Sequence, residues 1–249
     1  MKPQQCIILK GVNKGFGDRP ILKDVSVSIN QSDYTVIMGP SGSGKSTLLN
    51  IIGVLDAPDS GQVMAFGLNN PWGNKRIARE LRKSYISYLF QNFALVENLT
   101  VRQNLDLINE NLGLKFLSLK KNADILSDSL FNKDGREGTG RFKEKLEHLL
   151  EDMQINHLID KKVYELSGGE QQRVALIRAM IKPHKILLAD EPTGSLDEKN
   201  KRYVMGCLAE IHRKGCPVVV VTHDLDFVSQ ATRVFKLVDG SLHEVIVSR

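Results

Sequence analysis

Gly39, Pro40, Ser41, Gly42, Ser43, Gly44, Lys45 and Ser46 fall in the spacing G-x-x-x-x-G-K-S, which suits a backbone that wraps around phosphate. Glycines at Gly39, Gly42 and Gly44 let the chain curl so that its N–H groups point inward at anionic oxygens. Lys45 can then reach the outer phosphates as a cation, and the Ser46 hydroxyl can ligate a magnesium ion that keeps some of its waters. The chemistry is that of a nucleoside triphosphate site. By itself this loop fits a kinase, a GTPase or a motor equally well.

Other residues further along could serve the same site. An apolar run over residues 185–189 delivers Asp190 and Glu191 together, a way to hold a magnesium ion and, one residue on, to polarise a water. Ser167, Gly168 and Gly169 open a second helix-like stretch and offer bare amides and a hydroxyl to an anion; a flexible turn is the alternative. Gln91 closes a strand-like run and could orient a water or touch a metal through its carbonyl. His223 stands at the end of the run 217–222, where a structural role is the competing reading. Phe16, in a turn-rich stretch over residues 15–20, could stack on a base or fold back into the core.

These side chains need elements to place them. Residues 34–38 are apolar and strand-like, and 47–52 helix-like, so a strand feeds the phosphate loop and a helix leaves it. Short strands are expected over 6–10, 25–29, 62–66 and 84–90, a helix over 72–82, and a hairpin-like edge over 233–247. From residue 98 to about 153 the texture turns helical. Thr100 is a possible N-cap ahead of Val101, Leu105, Leu107 and Ile108, while Phe142, Leu146, Leu149, Leu150 and Met153 share one helical face. A loop over 132–140 separates the two. Val174, Leu176, Ile177 and Met180 support a helix over 171–181, and another is expected over 198–214. The pattern is an α/β core with an inserted helical subdomain.

The 249 residues suffice for one large α/β domain, and the 25% charged and 41% hydrophobic fractions are ordinary. A net charge of +5 is mild and shows no basic block that would argue for nucleic acid. Cys6, Cys207 and Cys216 lack metal-type spacing and fit reduced thiols in the cytoplasm. No apolar run approaches the length of a membrane span, so work at a membrane implies another protein to hold the chain there.

In order along the chain, these motifs resemble the ATP-binding subunits of ABC (ATP-binding cassette) transporters over nearly the whole length. Residues 39–46 match that family's phosphate loop, Gln91 its Q-loop, 166–170 its signature, 186–191 its magnesium strand and general base, 195–197 its D-loop and His223 its switch histidine. Phe16 falls where the family has an adenine-stacking aromatic, usually Tyr. The resemblance implies a P-loop NTPase (RecA-like) core with an antiparallel β subdomain, over residues 1–90 and 181–249, and a helical subdomain over 91–180 that includes the signature helix. It implies ATP and Mg2+ as ligands. ATP would be contacted by Phe16, residues 39–46, Thr47, and Ser167, Gly168, Gly169 and Glu170, with Ser46, Gln91 and Asp190 on the metal. Glu191 would be the base, helped by His223, Gln91 and Lys45.

Two such cassettes pair head to tail, so a second copy and a membrane-spanning permease are the implied partners, with the chain peripheral on the cytoplasmic face of the membrane. Residues 88–95 and 188–197 look like the lipoprotein-release, macrolide-export and bacteriocin-export branch. Against that resemblance, the region 113–141 is longer than in typical members. Competing readings are a cassette that regulates a membrane or cell-wall complex without transport, and a soluble cassette acting on DNA or ribosomes.

Overall fold

Alternating apolar residues carry the first strands much further than the sequence pattern suggests. β1 (Gln5–Phe16) buries Ile7, Leu9 and Val12 and pairs antiparallel with β2 (Arg19–Asn30). Gly15 pairs with Pro20 and Phe16 with Arg19, so the loop expected over 15–20 shrinks to a two-residue turn at Gly17 and Asp18. Pro20 has the look of a turn residue in the sequence. It lies on the edge strand, where a missing N–H breaks no ladder.

The structure, a computed structural model, describes residues 5–112, 138–182, 184–194 and 196–246. They divide into two compact units, Met1–Gln91 with Pro183–Arg249, and Asn92–Lys182. In the first unit, β4 (Ser60–Ala65) and β5 (Leu68–Asn69) extend the hairpin into an antiparallel sheet of order β2-β1-β4-β5. The second sheet of this unit uses β3 (Tyr34–Met38), β6 (Ile86–Leu89), β7 (Ile186–Asp190), β8 (Val218–Thr222), β9 (Arg233–Val238) and β10 (Ser241–Val245). Its order is β10-β9-β3-β8-β7-β6, with only β10 antiparallel to its neighbour. β7 and β8 are buried at every residue, as an unbroken apolar run in a sheet covered on both faces requires.

The α-helices of this unit among the described residues are α1 (Lys45–Ile52), α2 (Lys75–Ser84) and α6 (Glu198–Arg213). The helix expected over 72–82 starts later, because Pro71–Gly73 forms a separate 3-10 turn and the Asn74 side chain caps α2 by accepting from the N–H groups of Arg76 and Ile77.

The second unit holds α3 (Val101–Leu112), α4 (Gly138–Asp152) and α5 (Gly168–Ile181). Thr100 does cap α3: its hydroxyl accepts from the Gln103 N–H, and the Gln103 side chain accepts from Thr100 N–H. Leu146, Leu149, Leu150 and Met153 are buried; the Phe142 side chain lies outside the described residues. So do 132–137 of the expected loop over 132–140, whose last residues are already helical. Most of the long stretch 113–141 also falls outside.

Candidate functional site

β3 ends at Met38 and α1 begins at Lys45, so residues 39–44 must turn within a short arc. Gly42 and Gly44 do so with φ of 78° and 99°, and a Cβ on Gly44 would lie 2.7 Å from Ile21 Cγ2. Only glycine fits there. Lys45 is 6% exposed, and its Nζ donates to the carbonyls of Gly39 (3.0 Å) and Pro40 (3.1 Å) while standing 3.4 Å from Glu191 Oε1. The Ser43 hydroxyl is buried with no hydrogen-bond partner. A buried cation and an orphaned hydroxyl in one loop fit an anion as the occupant.

β7 carries the acidic pair to the same place. Ser46 Oγ donates to Asp190 Oδ1 at 3.1 Å. Burial, helped by the neighbouring Glu191 charge, pushes the Asp190 carboxyl above its ordinary range against the pull of Ser46 and Lys45. Glu191 takes a left-handed conformation, φ 43°, held by its N–H donating to the Val221 carbonyl. Its Oε2 accepts from Thr222 Oγ1 (3.2 Å) and lies 3.0 Å from His223 Nδ1. β8, ending at Thr222, thus delivers both the hydroxyl and the imidazole to the carboxylate.

Lys45, Ser46, Glu191 and His223 share a cavity of about 640 Å³, lined also by Arg19, Ile21, Ser41, Gly42, Gly44, Thr47, Gln91 and Gly194. Gln91 lines it although it shares no hydrophobic pattern with the others. Phe16 is 57% exposed at the end of β1 and does not line the cavity itself, but it pairs across the hairpin with Arg19, which does. Arg19, Ile21 and Gly194 escaped the sequence reading. A hairpin taken for a loop hides the fact that Arg19 and Ile21 return to the phosphate loop. Ser46 and Asp190 are a donor set suited to Mg2+, and among the described residues no group of three His, Cys, Asp or Glu side chains could hold a metal. An ion at this place would be shared with phosphate oxygens and water, as magnesium favours.

In the second unit, Ser167 is the N-cap of α5 and Gly168 and Gly169 form its first turn. Glu170 is turned back on this cap: its Oε2 accepts from Ser167 N (2.7 Å) and Ser167 Oγ (2.8 Å). Those bonds, the Ser167 N–H first, hold its carboxyl below the usual range. Further along α5, the Arg178 guanidinium donates to the carbonyls of Phe93 and Ala94, both at 2.6 Å, and both residues have positive φ. Nothing in the local sequence marks that clamp. Ser195 lies outside the described residues, and Asp197 caps α6 by accepting from the Asn200 N–H.

Residues 22–194 match the family model described as ABC transporter. The macrolide export ATP-binding/permease protein MacB of Campylobacter jejuni is 36% identical over 95% of this chain, which spans about a third, 33%, of that relative's length. The uncharacterized ABC transporter ATP-binding protein YvrO of Bacillus subtilis is 34% identical over 94% of this chain and 93% of its own. Among solved structures, the dimeric post-hydrolysis state of the ATP-binding cassette MJ0796, bound to ADP and Pi, superposes with a TM-score of 0.78. It is 31% identical and covers 97% of this chain and 100% of its own.

Proposed function

The chain belongs to the ABC transporter family, and we propose that it is an ATP-binding and ATP-hydrolysing subunit that powers export or extraction of a substrate through a separate membrane permease. The observation that carries this reading is the convergence of Lys45 and His223 on Glu191 in the cavity that Ser46 also lines, with Ser46 bonded to Asp190. Lys45 neutralises the outer phosphates. Glu191 takes the proton of the attacking water as its oxygen bonds to the γ-phosphorus and the bond from that phosphorus to the β-bridging oxygen breaks. His223 and Thr222 hold the Glu191 carboxylate at its Oε2. Magnesium, held by Ser46, Asp190 and Gln91, would neutralise the charge on the phosphate oxygens. Phe16 offers an exposed ring to the adenine.

The division of labour follows the chain: residues 1–90 and 181–249 are the nucleotide-binding core, and 91–180 a helical subdomain with the signature helix. Ser167, Gly168 and Gly169 of a second copy cover the ATP held by the first, so two chains pair head to tail around nucleotide. Support comes from the dimeric MJ0796 cassette bound to ADP and Pi. Among the described residues no helix is long and apolar enough to cross a membrane, which supports attachment on the cytoplasmic face through the permease. Cargo of the peptide, lipoprotein or drug-like kind follows from the resemblance of residues 88–95 and 188–197 to the lipoprotein-release, macrolide-export and bacteriocin-export branch, and the relative named for macrolide export supports the drug-like kind.

Glu191→Gln tests the reading, because amide for carboxylate keeps the binding groups and removes the base. The variant is expected to lose turnover and, with saturating ATP and magnesium, to elute as a dimer in size-exclusion chromatography with light scattering. A variant that keeps hydrolysing, or stays monomeric with ATP bound, refutes it.

A further inference from the structure

α6 begins beside the site and sends one cation back toward it. Asp197 caps the helix, and the Lys201 N–H donates to the Asp197 carbonyl, so the Lys201 backbone is fixed in the first regular turn. Its Nζ lies 2.8 Å from Asp224 Oδ2 and 2.5 Å from Asp226 Oδ2. Thr193 Oγ1 donates to the same Asp224 oxygen at 3.3 Å. The ammonium thus joins α6 to the turn that carries His223, and Thr193, in the turn that follows Glu191, meets it at the shared Asp224 oxygen.

We propose that Lys201 is a positioning residue for ATP hydrolysis, tying Asp224, Asp226 and Thr193 into a clamp that sets where His223 stands against Glu191. This rests on the ATPase reading above. The His223 side chain is 71% exposed, so packing does not orient it. Its neighbour Asp224 does. The Asp224 N–H donates to Thr222 Oγ1 at 3.0 Å, and that same hydroxyl donates to Glu191 Oε2 at 3.2 Å. Asp224 is held by its backbone on the Glu191 side and by its carboxylate on the Lys201 side. Without the ammonium, Asp224 and Asp226 are two like charges two residues apart in one turn, and the Asp224 oxygen that Thr193 bonds loses its cation. Among the described residues, Lys201 pairs with Asp224 and Asp226, neither of which lines the nucleotide cavity, so its loss leaves nucleotide binding in place.

The test measures steady-state ATP turnover and ATP affinity for the full chain and for Lys201→Ala, Lys201→Arg and Asp226→Asn, with hydrogen exchange on each. Lys201→Ala is expected to lower kcat about tenfold while the Kd for ATP changes less than about twofold, since misplacement of catalytic groups acts on the chemical step. Lys201→Arg, which can span the same two carboxylates, should recover most of that loss. Asp226→Asn alters an exposed carboxylate and should give a smaller fall in the same direction. Amides at 193–194 and 223–226 should exchange faster in Lys201→Ala, with those of β3, β7 and β8 unchanged. A kcat within about twofold of the parent, a Kd rising in step with the loss, or an arginine variant no better than alanine overturns the clamp. A parent chain without ATPase activity would instead sink the ATPase reading, and the exchange pattern would still decide the clamp.

Discussion

At the scale of single residues, the Lys45 ammonium is shared among the Gly39 carbonyl, the Pro40 carbonyl and Glu191, three acceptors with which a phosphate would compete for the same cation. Arg19 is different. It lines the cavity, and among the described residues it has no ion-pair partner. Its guanidinium is therefore available to an anion at the cavity mouth, at an exposed site where such a contact is worth roughly 1 kcal/mol. Arg19→Ala is expected to weaken ATP binding about threefold to tenfold while leaving adenosine binding unchanged, as measured by titration calorimetry. Equal losses for both ligands would show that the side chain supports the fold of the hairpin instead. Lys45, Ser46, Asp190 and His223 were legible in the sequence because each sits at the end of an unmistakable strand or loop. Arg19 and Lys201 were not, since what makes them useful is the return of a strand or helix to a place far away in the chain.

Elements carry the same lesson and a prediction about acid. The strands β3, β7 and β8 could be read because burial on both faces forces continuous apolar runs. The β1–β2 hairpin was half read, because its twelve-residue strands include Gly15 and Pro20, which elsewhere mark turns. Helix starts rest on carboxylates and hydroxyls: the Asn200 N–H holds Asp197 below the ordinary carboxyl range, and the Ser167 N–H does so for Glu170. The Arg233 guanidinium does the same for Glu244, joining β9 to β10. At Asp224, burial raises the carboxyl but Lys201, the Asp226 N–H and Thr193 together outweigh it and the net shift is downward. A carboxylate with a lowered folded-state value stabilises the chain above its ordinary value, and the gain is lost as pH falls through the folded value. Asp190, raised by burial, acts in the opposite sense. With the ordinary values at 4.5 for Glu170 and Glu244 and 3.8 for Asp197 and Asp224, thermal stability should hold down to about pH 4.5 and fall steadily below it. Circular dichroism melts across that range check this. A stability that rises on acidification to pH 3 would mean that Asp190 outweighs the caps and ion pairs.

For the whole molecule, the question is how a site built on one chain depends on a second copy. Everything that handles the outer phosphate and the attacking water in the proposed reaction lies in one unit, on Lys45, Asp190, Glu191 and His223. The α5 start, with Ser167, Gly168 and Gly169 at its N-terminus, presents amide hydrogens suited to an anion but belongs to the other unit. If those amides complete the site of a neighbouring copy, turnover requires two chains to meet, and the active species forms by mass action. Specific activity at saturating ATP and magnesium should then rise with protein concentration and level off once pairing is complete, giving a rate that is second order in protein at the dilute end. Once pairing is complete, Glu191→Gln added in excess should lower the rate per parent chain, because ATP that the variant cannot hydrolyse holds each mixed pair closed. A specific activity that stays constant from nanomolar to micromolar protein, together with no effect of the added variant, would mean that each chain hydrolyses ATP alone and that the start of α5 serves some other purpose.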